Sequence, residues 1–253
     1  MLAMVSLVFA LTQRTFRGLH IRSSEPQFRR AHECTGDAVW AGSEGLLRWM
    51  CDPARKSVFD GRSVLELGSG TGHLGLSLAA AGASRVCLSD LAQQLPLLNS
   101  NIDLNADLCG KSDVHAEVLP WGTKPAGPVD RRYDLIVGSE LTYDADLLSP
   151  LARTTAELMR HRSSSKPTVA LFAMSRHRAY AHVPDHAHQF IHDLLVAKYG
   201  LHAALVGSYD HPSAELGRAF FVGAQAAEGG SPISIFKVTT EPDETRYRGC
   251  FQA

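Results

Sequence analysis

No two cysteines in this chain stand at the C-x-x-C spacing of a thiolate zinc site or a redox pair. The five present, Cys34, Cys51, Cys87, Cys109 and Cys250, are scattered, and Cys87 lies in a run that reads as a buried strand. This disfavours a disulfide scaffold and points to reduced thiols in a cytoplasmic compartment, with a nuclear or mitochondrial one compatible with the same chemistry. Long apolar runs are missing too: the best, Leu2 to Leu11, is about half of the roughly 20 residues a membrane span needs. No excess charge of one sign exists, since 25 Lys and Arg face 26 Asp and Glu. No global positive field therefore draws the chain to nucleic acid or anionic lipid. No internal repeat or long linker divides the 253 residues, and a monomer is the simplest expectation.

What is present is alternation. From Ser63 onward short apolar runs alternate with helical stretches, the pattern of a mostly parallel sheet covered by helices on both faces. Strands are expected at Ser63–Leu67, Arg85–Ser89, Val114–Val118, Tyr133–Val137, Thr168–Ala173 and Leu201–Val206, with a seventh at Ile233–Val238. Helices are expected at Ser43–Met50, Gly72–Ala81, Leu95–Asn105, Leu147–Arg160, with Pro150 in its first turn, and Asp185–Tyr199. Pro120–Arg132 and Ala224–Pro232 read as loops. The N-terminus, with Arg14, Arg17 and Arg22 and no acid before Glu25, has the composition of a transit peptide. Against that, Thr15–Arg22 alternates apolar and polar residues around Gly18, a hairpin pattern. Residues 1–30 are accordingly assigned to an extension with a short hairpin, 31–240 to one Rossmann-like doubly wound α/β domain, and 241–253 to a tail.

The run Val64-Leu65-Glu66-Leu67-Gly68-Ser69-Gly70-Thr71-Gly72 places an apolar strand before a glycine turn that opens a helix. Glycines suit a turn that needs positive φ and close approach of a ligand. The dinucleotide fingerprint G-x-G-x-x-G would need glycine where this chain has His73, which disfavours a nicotinamide cofactor. No G-K-[ST] follows, which excludes a P-loop. Asp90 ends the next strand about 20 residues on, where an acid accepts from ribose hydroxyls. Together these features indicate a nucleoside-bearing ligand, with Glu66 placed to meet a cationic amino-acid end.

Tyr133–Ser139 followed by Glu140-Leu141-Thr142-Tyr143, after such a turn, resembles the seven-strand S-adenosylmethionine-dependent protein lysine methyltransferases. Calmodulin-lysine and chaperone-lysine enzymes belong to that group, which carries a D/E-x-x-Y motif at the end of the fourth strand. Thr35-Gly36-Asp37-Ala38-Val39-Trp40 matches the family's Thr-Gly-x-x-Val-Trp, and Leu119-Pro120-Trp121-Gly122 its Leu-x-Trp-Gly. The resemblance implies S-adenosylmethionine as cofactor, bound by Gly68, Ser69, Gly70, Gly72, Glu66 and Asp90. It places Trp40 and Trp121 in the pocket, with Trp121 beside the adenine and Ser139 near the methionyl end. Glu140 and Tyr143 are implied as catalytic, the acid orienting a substrate ammonium and the ring bounding a lysine channel. The implied partner is a protein substrate. Tyr209–Ala227 has no counterpart in the family, and substrate choice sits in such grafted loops.

Methylation of another protein side chain or of a small molecule would use the same cofactor site. A silent methyltransferase fold would have lost the glycine turn or Asp90, and a nucleic-acid adenine methyltransferase would carry Asn/Asp-Pro-Pro-aromatic where this chain has Ser139–Tyr143. Glu140 could instead cap the next helix while Tyr143 packs. Seven of the twelve histidines lie between His177 and His211. His188 and His192 share a helical face, but Pro184 interrupts the group and no metal site is expected. Arg153, Arg160, Arg162, Lys166, Arg176 and Arg178 read as a solvated basic face.

Overall fold

The computed structural model describes residues 11–14, 18–24, 35–125, 127–130, 132–160, 167–175, 185–210 and 232–242. Two short strands, β1 (Leu11–Arg14) and β2 (Ile21–Ser24), pair antiparallel as a hairpin. The hairpin expected around Gly18 is present with its strands further out: Gly18, at φ 89, lies in the connection. Helix α1 (Ala41–Met50) then precedes the main sheet.

That sheet has seven strands in the order β5-β4-β3-β6-β7-β9-β8. They are β3 (Ser63–Leu67), β4 (Arg85–Asp90), β5 (Asp113–Val118), β6 (Leu135–Ser139), β7 (Val169–Ser175), β8 (His202–Asp210) and β9 (Pro232–Thr239). The first five are mutually parallel, and β9 runs antiparallel to both β7 and β8. The chain leaves β3 toward β4 and β5, then returns to place β6 on the other side of β3. The strand order thus reverses between β3 and β6, where open α/β sheets bind ligands beyond the carboxyl ends of their strands.

Two apolar layers form on the faces of this sheet because side chains alternate along each strand. Val64, Val86, Leu135, Val137 and Leu171 point to the layer of α1, α2 (His73–Ala81) and α3 (Leu95–Leu104). Leu65, Leu67, Cys87, Ile136 and Phe172 point to the layer of α5 (Ala145–Met159) and the segment Gln189–Lys198. A one-turn helix, α4 (Ala106–Cys109), follows α3.

Most expected boundaries move by one or two residues, and β8 runs on to Asp210, four residues past the expected Val206. Tyr133 and Asp134 precede β6 instead of opening it, because the Asp134 carboxylate accepts from the Ser63 amide and hydroxyl (3.0 and 2.7 Å) and anchors the strand start. Helix α5 begins at Ala145, capped by Asp144, whose side chain accepts from the Asp146 amide at 2.9 Å. Pro150 therefore lies inside the helix, not in its first turn, and its ring packs over Gly122. The last expected helix is a three-residue turn, His186–His188, continuing as a π-helix from Gln189 to Lys198. Residues 1–10, 15–17, 211–231 and 243–253 lie outside the described residues. These hold the first residues of the expected hairpin, the tail, and most of the unmatched segment. Among the described residues no helix is long and apolar enough to cross a membrane.

Candidate active site

Three consecutive strand ends bring the expected site residues together. At the end of β3 the chain turns through Gly68, Gly70 and Gly72 with φ of 59, 54 and 77, the left-handed region that glycine enters without steric cost. The turn is also crowded. A Cβ at Gly68 would stand 2.7 Å from a Leu141 methyl and 2.9 Å from the Trp121 ring, and one at Gly70 would stand 2.7 Å from the Gly36 carbonyl oxygen. This geometry places Trp121 and the Gly36 turn against the glycine turn, with Leu141 behind it. His73 is buried beyond the last glycine, its Nδ1 3.2 Å from the Ser43 hydroxyl.

Two carboxylates flank the turn. Asp90, closing β4, accepts from the Gly70 amide at 2.8 Å through Oδ2 and from the Leu91 amide at 2.7 Å through Oδ1. Burial raises its pKa, and the two amides offset part of that. Glu66 is 2% exposed on the α2 side of β3 and accepts from the Gly75 amide at 2.9 Å. Burial, with the Asp90 charge adding to it, pushes its pKa from 4.5 up to about 8, against the Gly75 and Ser69 hydrogen bonds. Among the described residues neither acid has a cationic partner within 4.0 Å. Ser69 and Ser89 both donate to the Glu66 carbonyl, at 3.3 and 2.6 Å, and tie the β3 and β4 ends together.

Beyond β6, Ser139 is half-buried at the strand end, opposite Ala173 of β7. Glu140 follows at φ 55, the only described residue other than glycine with positive φ. An L side chain adopts this conformation at a cost, which is borne where surrounding contacts enforce it. Its amide donates to the Ala173 carbonyl at 2.9 Å. Its carboxylate accepts from the Ser175 hydroxyl at 2.5 Å and from the Ser175 amide at 3.1 Å. A Cβ at Gly42 of α1 would lie 2.8 Å from the Glu140 Cγ and Oε1, so the acid sits in a socket between α1, β6 and β7. Asp144, not Glu140, caps the next helix, and Tyr143 is 52% exposed, not packed in the core.

Trp40, half-buried, is the residue before α1, and its carbonyl accepts from the Ser43 amide and hydroxyl. Two residues with a place at this site escaped the sequence reading. Ser175 holds Glu140, and Gln94, between β4 and α3, reaches both the glycine turn and the Gly36 turn. Neither belongs to a motif of its own, and only the tertiary contact marks them.

Elsewhere the His188 and His192 rings lie 4.6 Å apart, centroid to centroid, with His192 edge-on to Phe236. Among the described residues no three potential ligands gather. Arg153 pairs with Glu157 on α5 at 3.0 Å, and Arg160 donates to the Tyr199 carbonyl. Arg162, Lys166, Arg176, Arg178, His177, His182 and His211 lie outside the described residues.

Residues 27–193 of the chain match the family described as lysine methyltransferase. Calmodulin-lysine N-methyltransferase of Arabidopsis thaliana is 31% identical over 202 residues, 79% of this chain and 62% of that protein. Protein-lysine methyltransferase METTL21E of Mus musculus is 26% identical over 167 residues, 65% of this chain and 66% of that protein. The chain thus spans less than two thirds of the length of these relatives. Among solved structures, P. horikoshii TYW2 in complex with MeSAdo shares the fold with a TM-score of 0.52 and 13% identity, over 92% of this chain and 73% of that one.

Proposed function

The chain belongs to the lysine methyltransferase family, and from that premise we propose that it transfers the methyl group of S-adenosylmethionine to lysine side chains of a protein substrate. The observation that carries this reading is the pair of acids on the glycine turn, Glu66 and Asp90. Glu66 is buried and Asp90 half-buried, both are raised in pKa, and neither has a cationic partner among the described residues. Such a site is electrostatically incomplete, and a ligand that brings positive charge and hydroxyl donors completes it. S-adenosylmethionine carries both, on its ammonium and sulfonium groups and on its ribose. When bound it supplies a methyl carbon open to in-line displacement.

The residues divide the work by position. Asp90, with one amide on each oxygen, retains lone pairs to accept from ribose hydroxyls. Glu66 faces the ammonium, and Gly68, Gly70 and Gly72 leave three of the five turn positions free of Cβ atoms, Ser69 and Thr71 being the other two. Trp121, stacked close to Gly68, walls the adenine side, while Trp40 lines the pocket and Ser139 meets the methionyl end. A lysine amine is protonated at neutral pH, with a free pKa near about 10.4, so it must lose a proton and be aligned before attack. Glu140 receives and orients that ammonium, its own direction fixed by Ser175, and Tyr143 on the exposed rim bounds the channel. The scattered cysteines, none at C-x-x-C spacing, support a reducing, cytoplasmic setting.

Calorimetric titration with S-adenosylmethionine and S-adenosylhomocysteine, followed by labelling of a proteome extract with methyl-labelled cofactor, tests the reading. Affinity in roughly the micromolar range, label recovered on lysine, and loss of binding in Asp90→Ala are expected. Absence of binding, or label on another residue type, refutes it.

A further inference from the structure

Gln94 stands at the N-cap of α3, where Ser, Thr, Asp or Asn would bond to the first helical amides. Its side chain makes no such bond. It is almost fully buried, and its amide nitrogen is 3.0 Å from the Gly36 carbonyl, 3.1 Å from the Gly70 carbonyl and 3.2 Å from the Asp37 carboxylate. One side chain, with two hydrogens to donate, thus serves acceptors from the Thr35–Asp37 turn and from the glycine turn. The two turns are in direct contact, the Gly36 oxygen filling the space a Gly70 Cβ would take. Removing the Gln94 donor takes a hydrogen bond from both carbonyls, and the loss is costly at Gly70, where the acceptor is buried.

A second carboxamide two helical turns along works from the same helix. Asn101 donates to the Thr71 carbonyl at 2.8 Å and to the Arg22 carbonyl at 3.1 Å, and accepts from the Arg22 amide at 2.8 Å. Asn105 brackets His20 in the same way, accepting from its amide and donating to its carbonyl at 2.8 Å each. Helix α3 therefore fastens the N-terminal segment to the glycine turn at two places, and Gln94 is the one that holds the Thr35–Asp37 turn, three residues before Trp40.

We propose that Gln94 is a positioning residue for the cofactor: it clamps the Thr35–Asp37 turn, and with it Trp40, against the glycine turn as one wall of the S-adenosylmethionine site. The inference rests on the cofactor reading above. It is tested on the full chain with Gln94→Glu, which keeps the shape and loses the N–H donors, and Gln94→Met, neutral and of similar size. The probe is S-adenosylhomocysteine, measured by calorimetry, together with amide exchange. Both variants should bind about ten-fold more weakly, the effect of losing one net hydrogen-bond set. Exchange should accelerate across residues 36–42 while β3 and β4 keep their protection. A role in overall stability alone would leave affinity unchanged at temperatures where the variants are folded. Wild-type affinity in both variants, or unaltered exchange at 36–42, overturns the proposal. Failure of the wild-type chain itself to bind removes the cofactor reading and this inference with it, a result distinct from binding that variants share.

Discussion

Replacing Glu66 by Gln perturbs one titrating group and little else, because the amide keeps the shape and an oxygen for the Gly75 amide. In the folded chain without cofactor the Glu66 carboxyl loses its proton at about 8, against 4.5 as the ordinary value. The folded chain therefore holds a proton through a window in which the unfolded chain has lost it. Stability consequently falls as pH rises through that window, by about 1.4 kcal/mol per pH unit, to a total of order 5 kcal/mol above pH 8. Below 4.5 both states are protonated and the penalty vanishes. Urea denaturation at pH 6, 7 and 8 should show wild type losing stability and Glu66→Gln holding nearly level, so that the variant is the more stable at pH 8 by a few kcal/mol. Subtracting the two curves removes the contribution of the titrating groups that do not couple to Glu66, Asp90 being the one that does. Cofactor binding should run the opposite way. A cationic ammonium expels the Glu66 proton, so wild-type affinity for S-adenosylhomocysteine should tighten toward ten-fold per unit between about pH 6 and 7.5. The Gln variant should bind weakly with no such slope. Parallel stability curves for the two proteins would refute the burial argument, and equal pH slopes of binding would refute the pairing of Glu66 with the ammonium.

Glu140 gives a separable pair of outcomes. Glu140→Ala and Glu140→Gly should both retain cofactor affinity and lose methyl transfer. The glycine variant should be the more stable by about 1 kcal/mol, because only glycine occupies φ 55 without strain. Melting temperatures and labelled-methyl transfer measure both, and an alanine variant as stable as glycine would deny the strain. Ser175→Ala should lower the transfer rate more than the cofactor affinity, since it removes a donor that directs Glu140 and touches nothing on the glycine turn. Gly68→Ala should destabilise by roughly 1–3 kcal/mol, because its Cβ meets both Leu141 and Trp121 in a backbone conformation that alanine resists. A thermal scan checks this, and an unchanged midpoint would mean the ring and the methyl give way freely.

The sheet was legible wherever burial on both faces makes a strand an unbroken apolar run. Val169–Met174 carries such a run, and Ser63–Leu67, apolar at Val64, Leu65 and Leu67 around Glu66, is a strand at the expected bounds. Boundaries slipped where a polar side chain set the start. Tyr133 is apolar enough to extend the pattern backward, yet Asp134 is engaged with Ser63 and the ladder begins only at Leu135. Asp144 began α5 two residues earlier than its apolar spacing suggested, because a cap is set by one hydrogen bond and not by periodicity. The π-helical winding of Gln189–Lys198 left no mark in composition, for its apolar residues face the core much as an α-helix would place them.

Legibility at the site followed a similar division. Glycines that need positive φ, and acids that end strands, are visible in sequence because few other residues can do what they do. Side chains that act on the main chain are not. Gln94, Asn101, Asn105 and Ser175 bond to carbonyls and amides or to a carboxylate 24 to 85 positions away, and any uncharged polar residue at a helix or strand end presents the same face to a reader of sequence. Yet these four decide how the recognisable residues stand. Asp90 can serve a ribose only if the Gly70 turn is held where it is, and Gln94 and Asn101 hold that turn through its carbonyls. Glu140 can present its carboxylate in one direction only because Ser175 engages it from β7. Under the proposed function the motif residues therefore specify the chemistry, and a second set of amides and hydroxyls, ordinary in type, specifies the geometry in which that chemistry becomes possible.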